Sequence, residues 1–394
     1  MSYERGAAVA VAPPGTGPVT SPFRSASPEQ TRERVRPVLS RFGITRVADV
    51  TGLDEIGLPT CVAYRPCGRT LSVSLGTGLD PVQAWVSAAM ESIETWHAEN
   101  DRLTVVARGA ARDVGVGYDV RALKLAQRSP LTDTTVLDWV VGRGLLTGAT
   151  YLAPIDLVRL DFTGVLPWHD VLFHPSSNGL ATGNTAAEAT LHALLEIIER
   201  DSITPYCTTP LAERRYVDPE TARHPVAEAV LAALRGAGCW VELVEATGRL
   251  GVPTYACSIW SPDLPIVCGG FGCHLDAGLA AARAMAEAAQ SRLAVVSGAR
   301  DDIDAAHYVT ADPLANPNVH RRTLGPVTGS VDVGGHDVEA TVRHCARRIM
   351  DVTGMEPFVV DMTRADVGIP ASKVIAPGLD FYTLHEMSRR PGEH

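Results

Sequence analysis

Along the chain, short runs of apolar residues that alternate or run unbroken give way to longer stretches with helical period. "SPEQTRERVRPVLSRFGI" (27–44) predicts a helix capped by Ser27. "LPTCVAYRP" and "RTLSVSLG" predict strands, rich in β-branched residues, and a helix follows over 80–99. Short strands and loops such as "YLAPIDLV" occupy 130–175. Further helices are expected over 185–201 and 226–238, the second ending at Gly236 or Gly238. "WVELVEAT", "TYACSIWS" and "PIVCGG" predict three more strands. Helices over 276–298 and 337–353, the strand "FVVDMT" and the closing "SKVIAPGL" complete the pattern. Strands and helices are interleaved, which predicts an α/β or mixed α+β fold, and no boundary divides the chain after residue 30.

Three of the predicted helices share one layout. They start at Asp80, Thr185 and Asp276 as caps, each after a loop of glycines and small residues. Eleven residues beyond the caps stand Glu91, Glu196 and Glu287, and three further on stand Glu94, Glu199 and Gln290. At about 100° per residue, a spacing of three puts both side chains on one helix face. Ala84 and Ser87, His192 and Ala193, and Ala284 and Ser291 share these faces and leave room beside the acids. A solvated face explains one such helix cheaply, but the same register three times over argues for a common purpose. Carboxylates set side by side repel one another, and hard divalent cations with oxygen ligands resolve that repulsion. Mg2+ suits such a set when phosphates complete its shell, and Arg200, Arg292 and Arg300 are candidates to meet those phosphates. Arg292 fits least well, because it points roughly 140° from Glu287 on a regular helix.

Composition narrows the remaining choices. The net charge of −10 supplies no basic excess to displace phosphate counterions, which argues against nucleic acid as a partner. No apolar run is long enough to cross a membrane. Residues 1–27, rich in Pro, Gly, Ser and Thr, read as a flexible tail and not a signal peptide, so a cytoplasmic protein is expected. Eight cysteines are scattered without a C-x-x-C pair and read as free thiols, with Cys67 beside Arg65-Pro66 a candidate reactive one. "GGFGCH" lacks a full G-x-G-x-x-G, no P-loop occurs, and no Ser-His-Asp or Cys-His motif is recognisable.

The blocks "SVSLGTG…SAAMESIE", "SSNGLATGNTAAEATLHALLEIIERD", "EAAQSRL…SGARDD" and "KVIAPGLDF" together resemble the YcaO-domain family over about residues 28–382. The resemblance implies a YcaO-like catalytic domain over 28–382, followed by a polar end at 383–394. It implies ATP and Mg2+, two or more ions, used to phosphorylate a peptide backbone amide oxygen. The products in such peptide biosynthesis are azolines, macrocyclic amidines or thioamides. The family's S-x-x-x-E-x-x-E falls on Ser87, Glu91 and Glu94; its E-x-x-E-R on Glu196, Glu199 and Arg200; its E-x-x-Q-x-R on Glu287, Gln290 and Arg292. By the same resemblance the acids hold metal, while Ser74, Ser87, Asn178, Asn184, Arg200, Gln290, Arg292 and Arg300 approach the nucleotide. His192 is the one candidate base, a structural hydrogen bond being its alternative role.

Two departures stand out. Thr77 replaces the lysine of the S-x-G-K-G common in the family, and the C-terminus "HEMSRRPGEH" lacks a P-x-P-x-P tail. "GITRVADVTGLDEIGLPT" looks closest to members without a fused leader-binding domain, which act alone or with a TfuA-like partner. Expected partners are a precursor peptide, a TfuA-like protein if the product is a thioamide, and a second copy in a homodimer. A protein that binds nucleotide or peptide without catalysis is the competing class, with Thr77 its only support.

Overall fold

A computed structural model describes residues 23–164, 171–298, 324–335 and 337–382. The first helix, α1 (Pro28–Val35), opens on a reciprocal cap: Ser27 accepts from the Gln30 backbone while the Gln30 side chain accepts from Ser27. It does not continue as one α-helix to residue 44. Pro37 has no N–H to donate, the backbone tightens to a 3-10 turn over Arg36–Phe42, and Gly43 ends it at φ 69°.

Three sheets follow. The strands β1 (Arg46–Asp49), β2 (Thr60–Tyr64) and β3 (Val73–Thr77) form an antiparallel sheet in that order, and α2 (Pro81–Glu99) lies across it. β4 (Ala107–Gly109), the short helix α3 (Ala111–Val114), β5 (Leu137–Gly144) and β6 (Thr150–Pro154) lead to β7 (Leu180–Thr182) and the long helix α4 (Ala186–Thr208). Then come β8 (Arg215–Asp218), α5 (Pro225–Gly236), β9 (Trp240–Glu245), β10 (Thr254–Ser261), β11 (Leu264–Cys273) and α6 (Ala277–Ser297). β12 (Gly325–Pro326), α7 (Val338–Thr353), β13 (Phe358–Asp361) and β14 (Ala371–Ile375) complete the order. The second sheet runs β11-β10-β9-β8-β12 and the third β4-β5-β13-β14-β7, with β6 paired to β5. The fold is mixed α/β, as the interleaved pattern predicts.

α2 and α6 pack on their sheets by the same contact. Four residues before each cap stand Gly76 on β3 and Gly272 on β11. A Cβ at Gly76 would strike the Ala84 carbonyl and the Ala88 amide; one at Gly272 would strike the Ala280 carbonyl and the Ala284 amide. These are the same positions, four and eight beyond the cap, so only glycine lets either helix lie this close to its strand.

α4 passes between the second and third sheets, touching β10 and β11 on one side, β7 and β14 on the other, and α7. Its inner face, including Leu191, Leu194, Leu195 and Ile198, is buried. The helix runs past the expected end at 201 because Asp201, Ser202 and Ile203 are buried too, and Asp201 pairs with Arg249 at 2.8 Å. Residues 23–27, read from sequence as part of the tail, pack on this helix. Phe23 is buried among α4 leucines, its ring 5.7 Å from His274, and the Ser25 amide bonds the Glu188 carboxylate.

Candidate functional site

α2, α4 and α6 bring Glu91, Glu94, Glu196, Glu199 and Glu287 into one electrostatic cluster. Glu94 feels both Glu196 and Glu91, Glu196 feels Glu199, and Glu199 in turn faces Glu287. The inward carboxylate of each helix is aimed by a backbone amide of the adjoining segment. Glu94 accepts from Thr182 N–H at 3.1 Å, Glu196 from Gly179 N–H at 3.2 Å, and Glu287 from Phe271 N–H at 3.2 Å. Glu94, Glu196 and Glu287 are enclosed by protein and still keep accessible surface, which is the condition of groups lining a cleft.

That setting disfavours their charge. Burial, then Glu196 and Glu91, raise the Glu94 carboxyl well above the usual range. Burial pushes Glu196 and Glu287 up to about 7 each, with Glu199 adding repulsion and Arg200 opposing it. For Arg200 burial works against the guanidinium, and Glu199, Glu196 and Glu287 outweigh it, raising its pKa.

A lysine not singled out from sequence completes the cluster. Lys373 on β14 is buried, and its Nζ donates to the carbonyls of Ser176 and Asn178 at 2.8 Å each. Burial lowers it to about 8 against the pull of Glu196 and Glu94. Its signal was a lone charge in the otherwise uncharged strand "ASKVI". It anchors the 176–179 turn, which presents the Gly179 amide to Glu196 and leaves the Asn178 Oδ1 buried without a hydrogen-bond partner.

The other expected residues divide. Gln290 points to the cleft side of β3, its Oε1 accepting from Thr77 Oγ1 at 2.6 Å. Ser87 is exposed one turn before Glu91, and Ser74 is buried within β3. The Asn184 side chain is taken up by Thr31 of α1 at 3.0 Å, and its carbonyl by Arg34. Arg292 is not brought to the acids. It is buried on the far side of α6, with Nε 3.0 Å from both Asp54 oxygens, Nη1 2.6 Å from Ser261 and Nη2 2.6 Å from Asp263. Arg300 lies outside the described residues. Cys67 is exposed, while neighbouring Arg65 is buried and paired with Glu99.

One turn below the acids on α4 and α6, the charge changes sign. His192 and Arg283 stand four residues before Glu196 and Glu287, with Arg24 and His274 beside them. Burial, then Arg24, Arg283 and His274, push the His192 pKa well below the ordinary value, so it is neutral and a weak base. Burial and Arg283 lower His274 to about 3. Its Nδ1 accepts from Asp276 N–H at 3.0 Å, which leaves the proton on Nε2, buried and unpartnered. Crowding by surrounding protein lowers Arg24 to about 10, although the residue is exposed to solvent. Reading residues 1–27 as tail concealed Arg24, and only folding brings it to α4.

Among the described residues, no three Asp, Glu, His or Cys side chains converge tightly enough to hold an ion alone. The donor set fits Mg2+ nonetheless, since that ion takes one or two carboxylates and completes its octahedron with water and phosphate. Repelling, partly protonated carboxylates are the donors that such an ion would relieve.

With this geometry in place, the comparisons give the class. The chain belongs to the YcaO cyclodehydratase, ATP- and Mg2+-binding family of enzymes, whose model matches residues 75–380. An uncharacterized protein of Mycobacterium tuberculosis is 36% identical over 90% of this chain and 82% of its own. One from Rhizobium leguminosarum bv. trifolii, described as lying in the tfuA 3′ region, is 33% identical over 91% of this chain and 88% of its own. The fold matches the YcaO protein of Methanopyrus kandleri bound with AMPPCP and Mg2+ at TM-score 0.70, with 22% identity over 91% of this chain and 92% of that one. It also matches a heterocyclase in complex with substrate and cofactor at TM-score 0.72 and 20% identity. There the match covers 91% of this chain and 53% of the heterocyclase. Among the described residues, no helix is long and apolar enough to cross a membrane.

Proposed function

We propose that this enzyme uses ATP and Mg2+, two or more ions, to activate a backbone amide of a precursor peptide in the making of a modified peptide. The observation that carries this reading is the gathering of five carboxylates from three helices, with Arg200 among them and a basic shelf one turn away. Glu91, Glu94, Glu196, Glu199 and Glu287 hold the ions in this reading. Arg200, Gln290 and the Asn178 side-chain Oδ1 face the nucleotide, and Arg24, Arg283 and His274 meet its anionic oxygens. Bound ATP, its phosphate charge offset by Mg2+, would supply the phosphoryl group with which the amide oxygen departs as phosphate once a nucleophile has added at the carbonyl carbon. The protein's own share is positioning and charge balance, which needs no enzyme nucleophile. His192, held neutral, serves as a hydrogen-bonding wall and not as the base.

Ring closure to an azoline or amidine is the first product assigned. Thioamide formation with a TfuA-like partner is the second reading, and the Rhizobium relative described from a tfuA 3′ region favours it. A homodimer belongs to either reading. ATP titration by calorimetry, with and without Mg2+, tests the common core on wild type, Glu91→Gln and Glu199→Gln. Mg2+-dependent binding in wild type and its loss in both variants is the expected result. Wild type that ignores ATP at millimolar concentration, with or without peptide, sinks the reading.

A further inference from the structure

On the side of α2 turned away from the acids lies a pocket of about 440 Å³. Trp85 lines it, nine residues from Glu94 and so half a turn around the helix. Arg32 and Arg36, one turn apart along α1 and the 3-10 turn after it, form one wall. Arg46, Val47 and Asp49 of β1 form another. β1 is the edge of its sheet and, among the described residues, pairs only with β2.

The charge in this pocket opposes that of the whole molecule. The chain carries −10 overall, yet three arginines here face one carboxylate. That carboxylate is already engaged, because Asp49 Oδ1 accepts from the Thr51 amide at 2.9 Å and the Thr51 hydroxyl at 2.5 Å. Arg32 lies over the Trp85 ring at 5.2 Å, and its Nε is buried with no hydrogen-bond partner. An unpaired buried donor costs free energy until an acceptor arrives. Arginine forks, an aromatic face and an open strand edge together suit an extended peptide with carboxylate side chains beside apolar ones.

We infer that this pocket docks an acidic segment of the substrate peptide, away from the residue that reacts. The inference rests on the peptide-modifying reading above. An acidic protein repels an acidic peptide over most of its surface, so a basic pocket set apart from the cleft selects where such a segment lands. α1 joins the pocket to the cleft, since Arg32 faces the pocket while Thr31 and Arg34 hold Asn184 in the loop before α4.

The test is anisotropy of a rhodamine-labelled octapeptide of alternating Glu and Leu, without nucleotide, against its Gln counterpart. Wild type should bind the Glu peptide in preference. Arg36→Gln with Arg46→Gln, both at exposed positions, should weaken that binding about tenfold or more, as expected of lost charge-assisted hydrogen bonds. Mg2+-dependent ATP binding, measured on the same samples, should not change. No Glu-peptide binding at millimolar concentration, equal binding of both peptides, or an unaffected double variant overturns the inference. Dissociation of a dimer by the double variant overturns it too, by giving this face to a second copy. Wild type that docks the peptide but ignores ATP instead counts against the proposed function and leaves the pocket standing.

Discussion

Thr77 and Gln290, 213 residues apart, meet in a 2.6 Å hydrogen bond that ties the end of β3 to the cleft face of α6. The hydroxyl stands where the resemblance implies lysine, and it fixes the Gln290 oxygen so that the amide nitrogen is turned to donate. Thr77→Val keeps the shape and removes the donor. ATP affinity should fall about fivefold, the scale of one hydrogen bond of about 1 kcal/mol, and Thr77→Ser should restore it by calorimetry. Equal affinities in all three would mean that the bond does not position Gln290 for the nucleotide.

Glu196 and Glu287, each near 7 without ligand, make metal binding depend on pH. Mg2+ needs the carboxylate form, so its affinity should climb as pH rises from about 6 to about 8, with protons released on binding. Stability runs the other way. A carboxyl raised in the folded state contributes fully below its ordinary pKa and loses that contribution as pH rises through about 7. Thermal melts of the metal-free protein should therefore show Glu196→Gln gaining on wild type between about pH 5 and about pH 8. A constant difference across that range would mean the carboxyl titrates normally.

Lys373 balances the acids from beneath. Lys373→Met removes the buried cation beside Glu94 and Glu196 and frees the turn at Ser176 and Asn178. Urea melts at pH 8 should lose about 3–5 kcal/mol, the usual penalty for orphaning a buried charge. At pH 6, where the carboxyls take up protons, the loss should shrink. A loss independent of pH would assign Lys373 to packing alone.

Arg292 separates structure from chemistry on a single helix. Its guanidinium joins Asp54, Ser261 and Asp263, so Arg292→Ala should cost about 3–5 kcal/mol of stability in urea melts. The folded fraction should bind ATP within about twofold of wild type, since distant sites act independently. A selective loss of nucleotide binding would return Arg292 to the cleft.

The sequence made the three helices legible because cap, register and acid spacing are all local, and helical geometry turns such spacing into a shared face. Arg292 already failed that geometry at 140° from Glu287, and its partners lie on the far side of α6. Lys373 and Arg24 were out of reach for another reason. Each reaches the cleft from a segment with no periodic tie to the helices, one a strand near the C-terminus and the other a stretch that reads as tail. The break in the helix after Val35 was written in Pro37, though the capped pattern around it overrode that signal.

The glycine contacts at Gly76 and Gly272 set how deep α2 and α6 sit, backbone against backbone, before any side chain has a say. Eleven residues past the cap, Glu91 and Glu287 inherit their depth from that contact and not from the packing of their neighbours. The floor of the cleft is thus insulated from drift at its rim. Loops and outward faces can vary from one descendant to the next, while the acid-bearing floor stays in tune.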